Sequence, residues 1–277
     1  MSTHHPSRPP RFGKARPGGQ HRDKRPAGWS PGGPEPDGPT LLFGIHAVEA
    51  ALANPARKIA KIFLTENAEN RLQPVLITRE MAVERVTPRD LDRRLGADTV
   101  HQGALIETEP LAELPMNALA RTAKGRPLLV LDQVTDPHNV GAILRSAAVF
   151  GAAGVVMTRR HSPPLAGTLA KSASGALEHI PVARVQNLAR SLDDLKKAGC
   201  TVIGLDGAGE QVLDEINWPE QPVFVLGAEG KGLRQLTRDT CDLVCRIATD
   251  GKIASLNVSN AAAVALHLAH IQRRKAN

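Results

Sequence analysis

The sequence predicts an α/β protein whose second half contains a parallel sheet. Residues 128–131 form an uninterrupted apolar run, Leu-Leu-Val-Leu, as expected of a parallel strand that is covered on both faces. Comparable runs recur at 155–157, 201–205, 223–226 and 243–247, and helical patterns such as 188–198 lie between them. This alternation favours βαβ units and a parallel sheet.

Composition narrows the class of protein further. The chain has 277 residues and is 42% hydrophobic, which is enough for a substantial core, but only 3% aromatic, which argues against RNA recognition by base stacking. Its three cysteines, Cys200, Cys241 and Cys245, suit neither a disulfide framework nor a zinc site, so we expect no metal. Because no apolar run resembles a signal peptide or a membrane span, we expect a cytoplasmic protein with no membrane partner.

The positive charge is concentrated at the N-terminus. Residues 1–40 contain seven lysines and arginines against three acidic residues, so they carry more than half of the net charge of +7. They also contain nine prolines and seven glycines, a composition that buries too little apolar surface to offset the entropy of ordering. We predict a disordered tail that either binds RNA phosphates or only solvates the chain.

A small α/β block is predicted over residues 41–109. Its elements are expected to be a helix at 43–52, a strand at 61–65, a helix at 71–81, a strand at 82–86, a helix at 89–95 and a strand at 104–107. Pro74 is expected near the start of the second helix, and Thr87 with Pro88 should cap the third. His46 and His101 are interpreted as cap or turn residues. Residues 110–126 are predicted to be a linker, and 127–277 a second block.

The first of three motifs follows the strand at 128–131. Asp136 followed by Pro137 predicts an N-cap and a first helical residue, with Val140, Ile143, Leu144 and Ala147 as the buried stripe of a helix that ends near Phe150. Asn139 lies at the helix start. Arg145 either binds an RNA phosphate bidentately or pairs with a core carboxylate.

The second motif, at 226–234, reads Leu-Gly-Ala-Glu-Gly-Lys-Gly-Leu-Arg. Three glycines in six residues expose backbone groups, but the spacing fits neither a P-loop nor a GxGxxG turn. Glu229 is informative here, because a carboxylate in a loop after a strand needs a partner or a task.

The third motif, at 253–260, opens the last predicted helix. Ser255 and Asn257 are polar residues at a helix start, where capping is their first use. Asn257, Ala261, Val264, Ala265 and Leu268 are predicted to share one stripe of that helix.

Together, in this order and spacing, the three motifs resemble those of the SpoU/TrmH family, whose members methylate the ribose 2′-hydroxyl of RNA. The resemblance implies a SPOUT-type domain with a parallel sheet and a C-terminal trefoil knot. It also implies a homodimer formed through that domain. The block at 41–109, through Phe-Gly-Ile-His at 43–46 and His-Gln-Gly at 101–103, resembles the ribosomal-protein-like RNA-binding domain of this family.

The resemblance also implies S-adenosylmethionine as cofactor, flanked by Gly227, Ile247 and Leu256. It carries over a polar set of Asn139, Arg145, Glu229, Ser255, Asn257 and Ser259. In our preferred hypothesis Arg145 fixes the target phosphate and lowers the pKa of the hydroxyl, because guanidinium hardly ever deprotonates. Ser255 and Asn257 would orient ribose and cofactor, and Glu229 would hold either the loop or the arginine.

Three alternatives stay open at this point. The expected substrate is a guanosine of 23S rRNA, with transfer RNA as the runner-up. A non-catalytic RNA-binding protein would be expected to lack the polar motif residues, which are all present. A Rossmann-type dehydrogenase would need a Gly-rich turn after its first strand, where this chain has Asp-Pro-His-Asn.

Overall fold

The computed structural model describes residues 38–251 and 255–276, which contain two β-sheets. The tail predicted at 1–40 lies outside the described residues except for its last three, and the first strand already begins at Thr40. Residues 252–254, which include the first two residues of the third motif, also lie outside them.

The first unit is built on a four-stranded sheet. Its elements are β1 (Thr40–Phe43), α1 (Ile45–Ala53), β2 (Ile59–Leu64), α2 (Glu66–Arg79), β3 (Glu84–Arg85), α3 (Pro88–Leu95) and β4 (Ala104–Thr108). The strand order is β1-β4-β2-β3, in which β4 is antiparallel to both of its neighbours and β3 is parallel to β2.

Two helix starts differ from the sequence prediction. Phe43 ends β1, so α1 begins at Ile45 and not at the predicted residue 43. Helix α2 begins at Glu66, five residues before the predicted start, and carries Pro74 in its interior. The predicted start was wrong because it relied on the preference of proline for the first turn of a helix. Ala68 and Leu72, on either side of the predicted start, are both buried and stabilise the helix there.

The predicted cap of α3 is confirmed. The Thr87 hydroxyl accepts from the Asp90 backbone at 3.3 Å, and the Asp90 carboxylate accepts from the Thr87 backbone at 2.8 Å. The Thr87 hydroxyl also donates to the Asp90 carboxylate at 2.6 Å, and this bond, together with the one from the Thr87 backbone, lowers the pKa of Asp90.

The second unit is built on a seven-stranded sheet in which all neighbouring strands are parallel. Its strands are β5 (Leu128–Asp132), β6 (Gly154–Thr158), β7 (Val182–Val185), β8 (Thr201–Leu205), β9 (Gln211–Val212), β10 (Pro222–Gly227) and β11 (Leu243–Arg246). Their order is β7-β6-β5-β10-β8-β11-β9. The predicted parallel sheet is confirmed, although β7 and the two-residue β9 were not predicted.

Helices cover both faces of this sheet. They are α4 (Met116–Ala123), α5 (Pro137–Phe150), α6 (Gly167–Ala173), α7 (Leu188–Lys197), α8 (Gln235–Thr240) and α9 (Val258–Ala276). Helices α4 and α7 bury their apolar side chains on one face, and α5, α6 and α9 bury theirs on the other. No helix in the described ranges is long and apolar enough to cross a membrane.

Helix α4 lies within the segment predicted to be a linker. It buries Leu119 and Ala123 against the sheet, and Pro115 stands at its N-cap. The linker was predicted from the prolines and the Lys-Gly-Arg sequence of this segment, which are typical of loops. The short helix forms nevertheless, because its stability comes from packing rather than from helix propensity.

Helix α5 is confirmed from its cap to its end. The Asp136 carboxylate accepts from the His138 backbone at 2.9 Å, Pro137 is the first helical residue, and the predicted stripe of four apolar residues is buried. Gly141 lets α6 approach closely, since a methyl group there would lie 2.5 Å from the Ser172 Cβ.

The last helix turns a different stripe inward from the one predicted. Val258, Ala262, Ala265, Leu266 and Ala269 are buried, whereas Ala261, Val264 and Leu268 are only partly covered. Periodicity alone leaves this rotation open, because alanine and valine occupy several faces of the helix.

The two units pack against each other through a buried ion pair. Arg57, which follows α1, donates from Nη2 and Nε to the two carboxylate oxygens of Glu178, at 2.5 and 3.2 Å. Both side chains are almost fully buried, at 1% and 2% exposure. One hydrophobic cluster also joins the units, and it includes Val48 and Leu177.

Candidate active site

The three motifs meet at one edge of the parallel sheet. Strands β5 and β10 are neighbours, so their carboxyl ends, at Asp132 and Gly227, lie side by side. In an open parallel sheet this edge is where ligands bind. Helix α5 starts just after β5, and the start of α9 returns to the same place.

One residue from each motif contributes to a hydrogen-bonded cluster. The Asn139 side-chain amide donates to Glu229 Oε1 at 2.9 Å, and the Asn257 amide donates to the same oxygen. Asn257 also donates to Asn139 Oδ1 at 3.0 Å. We call Asn139, Glu229 and Asn257 the amide–carboxylate cluster.

The cluster is oriented by the starts of two helices. Asp136, the cap of α5, accepts a further bond from the Asn139 amide at 3.2 Å. The Asn257 Oδ1 accepts from the Ser259 backbone at 2.8 Å and from the Ser259 hydroxyl. Asn257 therefore caps α9 with its oxygen and reaches Glu229 with its nitrogen, so capping and site formation are compatible uses of one side chain.

The Gly-rich loop after β10 folds back on itself. The Gly232 backbone donates to Ala228 O at 2.9 Å, and Gly230 and Gly232 adopt φ values of 75° and 63°. A methyl group on Gly227 would lie 2.1 Å from the Gly232 carbonyl, so only glycine fits there. This tight turn holds Glu229 above the end of β5.

Sequence reasoning missed a second anchor of this loop. Asp132, at the end of β5, accepts from Arg234 Nε at 2.7 Å and from the Arg234 backbone at 3.2 Å. The Asp132 side chain is fully buried. The sequence did contain a signal for this anchor. Asp132 follows four apolar residues at the end of a strand, and a carboxylate at such a buried position needs a partner.

The remaining predicted site residues do not join the hydrogen bonds of the cluster. Arg145 is exposed on α5 and has no carboxylate partner in the part of the chain that the structure describes, so the alternative of a core ion pair is wrong. Ser255 is exposed and Leu256 is 43% exposed, just before α9. Ile247 is half-buried directly after β11.

His101 has a structural role, and the three cysteines are free thiols that are buried or partly buried. His101 Nδ1 accepts from the Gly103 backbone at 3.0 Å, and its Nε2 lies 3.2 Å from Asp92, as expected of a turn histidine. Burial raises the pKa of all three thiols, that of Cys241 to about 12. Among the described residues, no group of three or more metal-ligating side chains comes together.

Comparison with known proteins identifies the family. A model described as SpoU rRNA Methylase family matches residues 126–267, about half of the chain. The chain belongs to this family. A second model, for the substrate-binding domain of RNA 2′-O ribose methyltransferases, matches residues 41–114 and so covers the first unit.

The chain is similar to curated relatives along most of its length. It is 42% identical over 238 residues to the 23S rRNA (guanosine-2′-O-)-methyltransferase RlmB of Ralstonia nicotianae, covering 84% of this chain and 96% of that protein. It is 39% identical to the protein of the same name from Pseudomonas aeruginosa, covering 81% and 93% of the two chains.

Solved structures share the fold. The SpoU methyltransferase AviRb from Streptomyces viridochromogenes, in complex with its cofactor AdoMet, superposes with a TM-score of 0.72 at 23% identity, covering 86% of this chain and 91% of that one. An rRNA methyltransferase from Sinorhizobium meliloti gives a TM-score of 0.70 at 23% identity over 84% and 87%.

Proposed function

We propose that this SpoU-family chain transfers a methyl group from S-adenosylmethionine to the ribose 2′-hydroxyl of a guanosine in 23S rRNA. The amide–carboxylate cluster is the observation that carries the proposal. It joins one polar residue from each motif at the sheet edge where ligands bind. The relatives named for this reaction align along nearly their whole length, which favours the same substrate over transfer RNA.

The residues at this edge fit S-adenosylmethionine. The folded Gly-rich loop offers backbone groups without side chains to obstruct them, and Leu256 presents an apolar side chain that is 43% exposed. Ile247, directly after β11, adds a second apolar side chain. We propose that Gly227, Ile247 and Leu256 flank the cofactor, which when bound supplies the methyl group.

The polar residues are proposed to orient the RNA and the loop. Glu229 accepts from two amides, so its role is to hold the Gly-rich loop against α5 and α9 rather than to hold the arginine. Asn257 and Ser255, at the start of α9, would orient the ribose. Asn139, which accepts a hydrogen bond from Asn257, would hold the first motif against the third. Positioning of this kind contributes on the order of 7–11 kcal/mol to a bimolecular reaction.

Arg145 is proposed to bind the phosphate of the target nucleotide. Its exposed guanidinium has no carboxylate partner within the described residues, so it is available to an anion. A cation beside the ribose lowers the pKa of the 2′-hydroxyl, and a water or a phosphate oxygen would accept the proton. The guanidinium itself stays protonated.

The domain arrangement is proposed on the same basis. Residues 41–109 would bind RNA and 127–277 would form the methyltransferase domain, with the basic tail at 1–40 as a phosphate-binding extension. A trefoil knot in the second unit is supported by the return of α9 to α5 and by the bond between Asn257 and the loop after β10. A ribosomal RNA substrate would place the enzyme in the cytoplasm.

A homodimer through the second unit is also proposed. Val149 on α5 is 70% exposed, and Phe150 packs against His267 of α9 with ring centroids 5.5 Å apart. Val264 and Leu268 are only partly covered on α9. Two such faces from two copies would bury this apolar surface.

Methylation of defined RNAs tests the substrate. Purified protein would be incubated with labelled S-adenosylmethionine and either 23S rRNA or bulk transfer RNA from a strain that lacks the enzyme. We expect label in 23S rRNA, recovered as 2′-O-methylguanosine. Label only in transfer RNA would replace the substrate, and RNA binding without methyl transfer would favour the non-catalytic alternative.

A further inference from the structure

Helix α6 connects the first unit to the start of α5 through two consecutive residues. The Ser172 hydroxyl lies 3.1 Å from His138 Nδ1, next to Asn139 of the cluster. The stem of Lys171 lies on the first unit, where a methyl group added to Gly44 would be 3.1 Å from the Lys171 Cγ. The junction between the units is therefore short and crossed by a lysine.

Basic side chains extend from this junction in both directions. On the first unit, Arg71 Nη2 lies 3.5 Å from His46 Nε2, and both side chains are exposed. On the second unit, Arg145 follows His138 by seven residues on one face of α5, about 10 Å along the helix. We call Arg71, His46, Lys171, His138 and Arg145 the basic strip.

The cations of the strip lack the neutralisation found elsewhere in the first unit. Six other cations of that unit pair with a carboxylate, namely Arg57, Lys58, Lys61, Arg85, Arg93 and Arg94, whereas Arg79 and Arg89 have no carboxylate partner among the described residues. Within the described residues, Arg71, Lys171 and Arg145 have no carboxylate partner. Charges left unpaired along a line are available to a polyanion.

We propose that the basic strip is a track for the RNA backbone. Its cations contact phosphates that flank the target nucleotide and guide the strand across α6 from the first unit to the amide–carboxylate cluster. The proposal rests on the RNA methyltransferase function. The strip offers charge and imidazole groups but no apolar surface, which suits a chain of phosphates better than a membrane or a peptide groove. Such contacts position the RNA without reading its sequence.

Lys171 gives the sharpest test, because Lys171→Met keeps the aliphatic stem on Gly44 and removes only the charge. The full chain would be titrated with 23S rRNA at several salt concentrations, without methyl donor. We expect Kd to rise about fivefold at 0.1 M salt and the slope of log K against log salt to fall by about 0.7–0.9. Lys171→Arg should restore both values. In the methyl-transfer assay, Lys171→Met should raise KM for the RNA and leave kcat unchanged.

Arg190→Met is the matched control. Arg190 is exposed on α7, on the opposite face of the parallel sheet, and has no carboxylate partner among the described residues. We expect it to bind RNA with the wild-type Kd and slope. Arg71→Met should weaken binding as Lys171→Met does. Because Arg71 is exposed and lies away from the junction, a loss in this variant cannot come from misfolding of the junction.

Wild-type affinity and salt slope in Lys171→Met and Arg71→Met would overturn the track, as would an equal loss in Arg190→Met. Because binding is measured without methyl donor, a failure of the track is distinguishable from a failure of the proposed reaction. A protein that binds RNA along the strip but transfers no methyl group would contradict the reaction alone.

Discussion

The side-chain amide of Asn139 donates to the carboxylate of Glu229, ninety residues later in the chain, at 2.9 Å. Asn257 donates to the same oxygen, so one carboxylate fixes the relative positions of three motifs. Removal of that acceptor would leave the buried Asn139 amide, which is 8% exposed, to find another partner, and such a loss costs about 1–3 kcal/mol for a group shielded from water. The site is therefore expected to act as a unit.

Gly227→Ala should weaken cofactor binding. A methyl group there would lie 2.1 Å from the backbone of Gly232, so the Gly-rich loop has to move. We expect at least a tenfold higher Kd for S-adenosylmethionine by calorimetry, and a lower Tm. Gly230→Asn is the control for stability, since its surroundings are open and asparagine tolerates a φ of 75°. An unchanged Kd in Gly227→Ala would remove the loop from the cofactor site.

Arg145→Lys should lower turnover by about tenfold or more. A lysine keeps the charge but loses the planar pair of donors that bind one phosphate. The measurement is kcat for methyl transfer at saturating RNA, with Arg190→Lys on the opposite face as the matched control. Near-full turnover in Arg145→Lys would eliminate the bidentate phosphate contact.

Glu178→Ala should destabilise the protein by about 3–5 kcal/mol, because it leaves the Arg57 guanidinium buried without its partner. The neighbouring pair Lys58–Glu109 is the control, since its side chains are 76% and 64% exposed. Glu109→Ala should cost at most about 1 kcal/mol in the same urea titration. Equal effects of the two substitutions would show that the buried pair does not hold the units together.

The three cysteines should resist alkylation in the folded protein at pH 8. Burial raises the pKa of Cys241 to about 12, so almost none of it is thiolate at that pH. The unfolded chain loses this proton near its ordinary pKa of about 9 and the folded chain does not. Stability linked to Cys241 is therefore complete below pH 9 and is lost as the pH rises towards 12. Iodoacetamide labelling followed by mass spectrometry measures the reactivity, and rapid labelling of Cys241 at pH 8 would contradict its burial.

Much of the fold could be predicted where local signals agree. The apolar run at β5 and the Asp-Pro cap of α5 gave that strand and helix with their ends nearly correct. The start of α2 and the helix α4 were missed, because their positions depend on packing partners that are distant in the sequence. The rotation of α9 was missed for the same reason.

The residues of the candidate site could be predicted from the sequence, but the hydrogen bonds between them could not. Motif spacing placed Asn139, Glu229 and Asn257 at strand ends and helix starts, yet left open whether Glu229 holds the loop or the arginine. In the structure, the Glu229 carboxylate accepts hydrogen bonds from the Asn139 and Asn257 amides. The Asp132–Arg234 pair depends on the neighbouring positions of β5 and β10, which strand patterns alone do not give.

A double-mutant cycle on Asn139 and Glu229 tests the central claim most directly. The rate of methyl transfer to 23S rRNA would be measured for Asn139→Ala, Glu229→Ala and the double variant, each checked to be fully folded at the assay temperature. If the two side chains act as one unit, each single variant loses at least about tenfold in rate, and the double variant is no slower than the slower single one. Single variants with wild-type rates, or losses that multiply in the double variant, would contradict a shared active site.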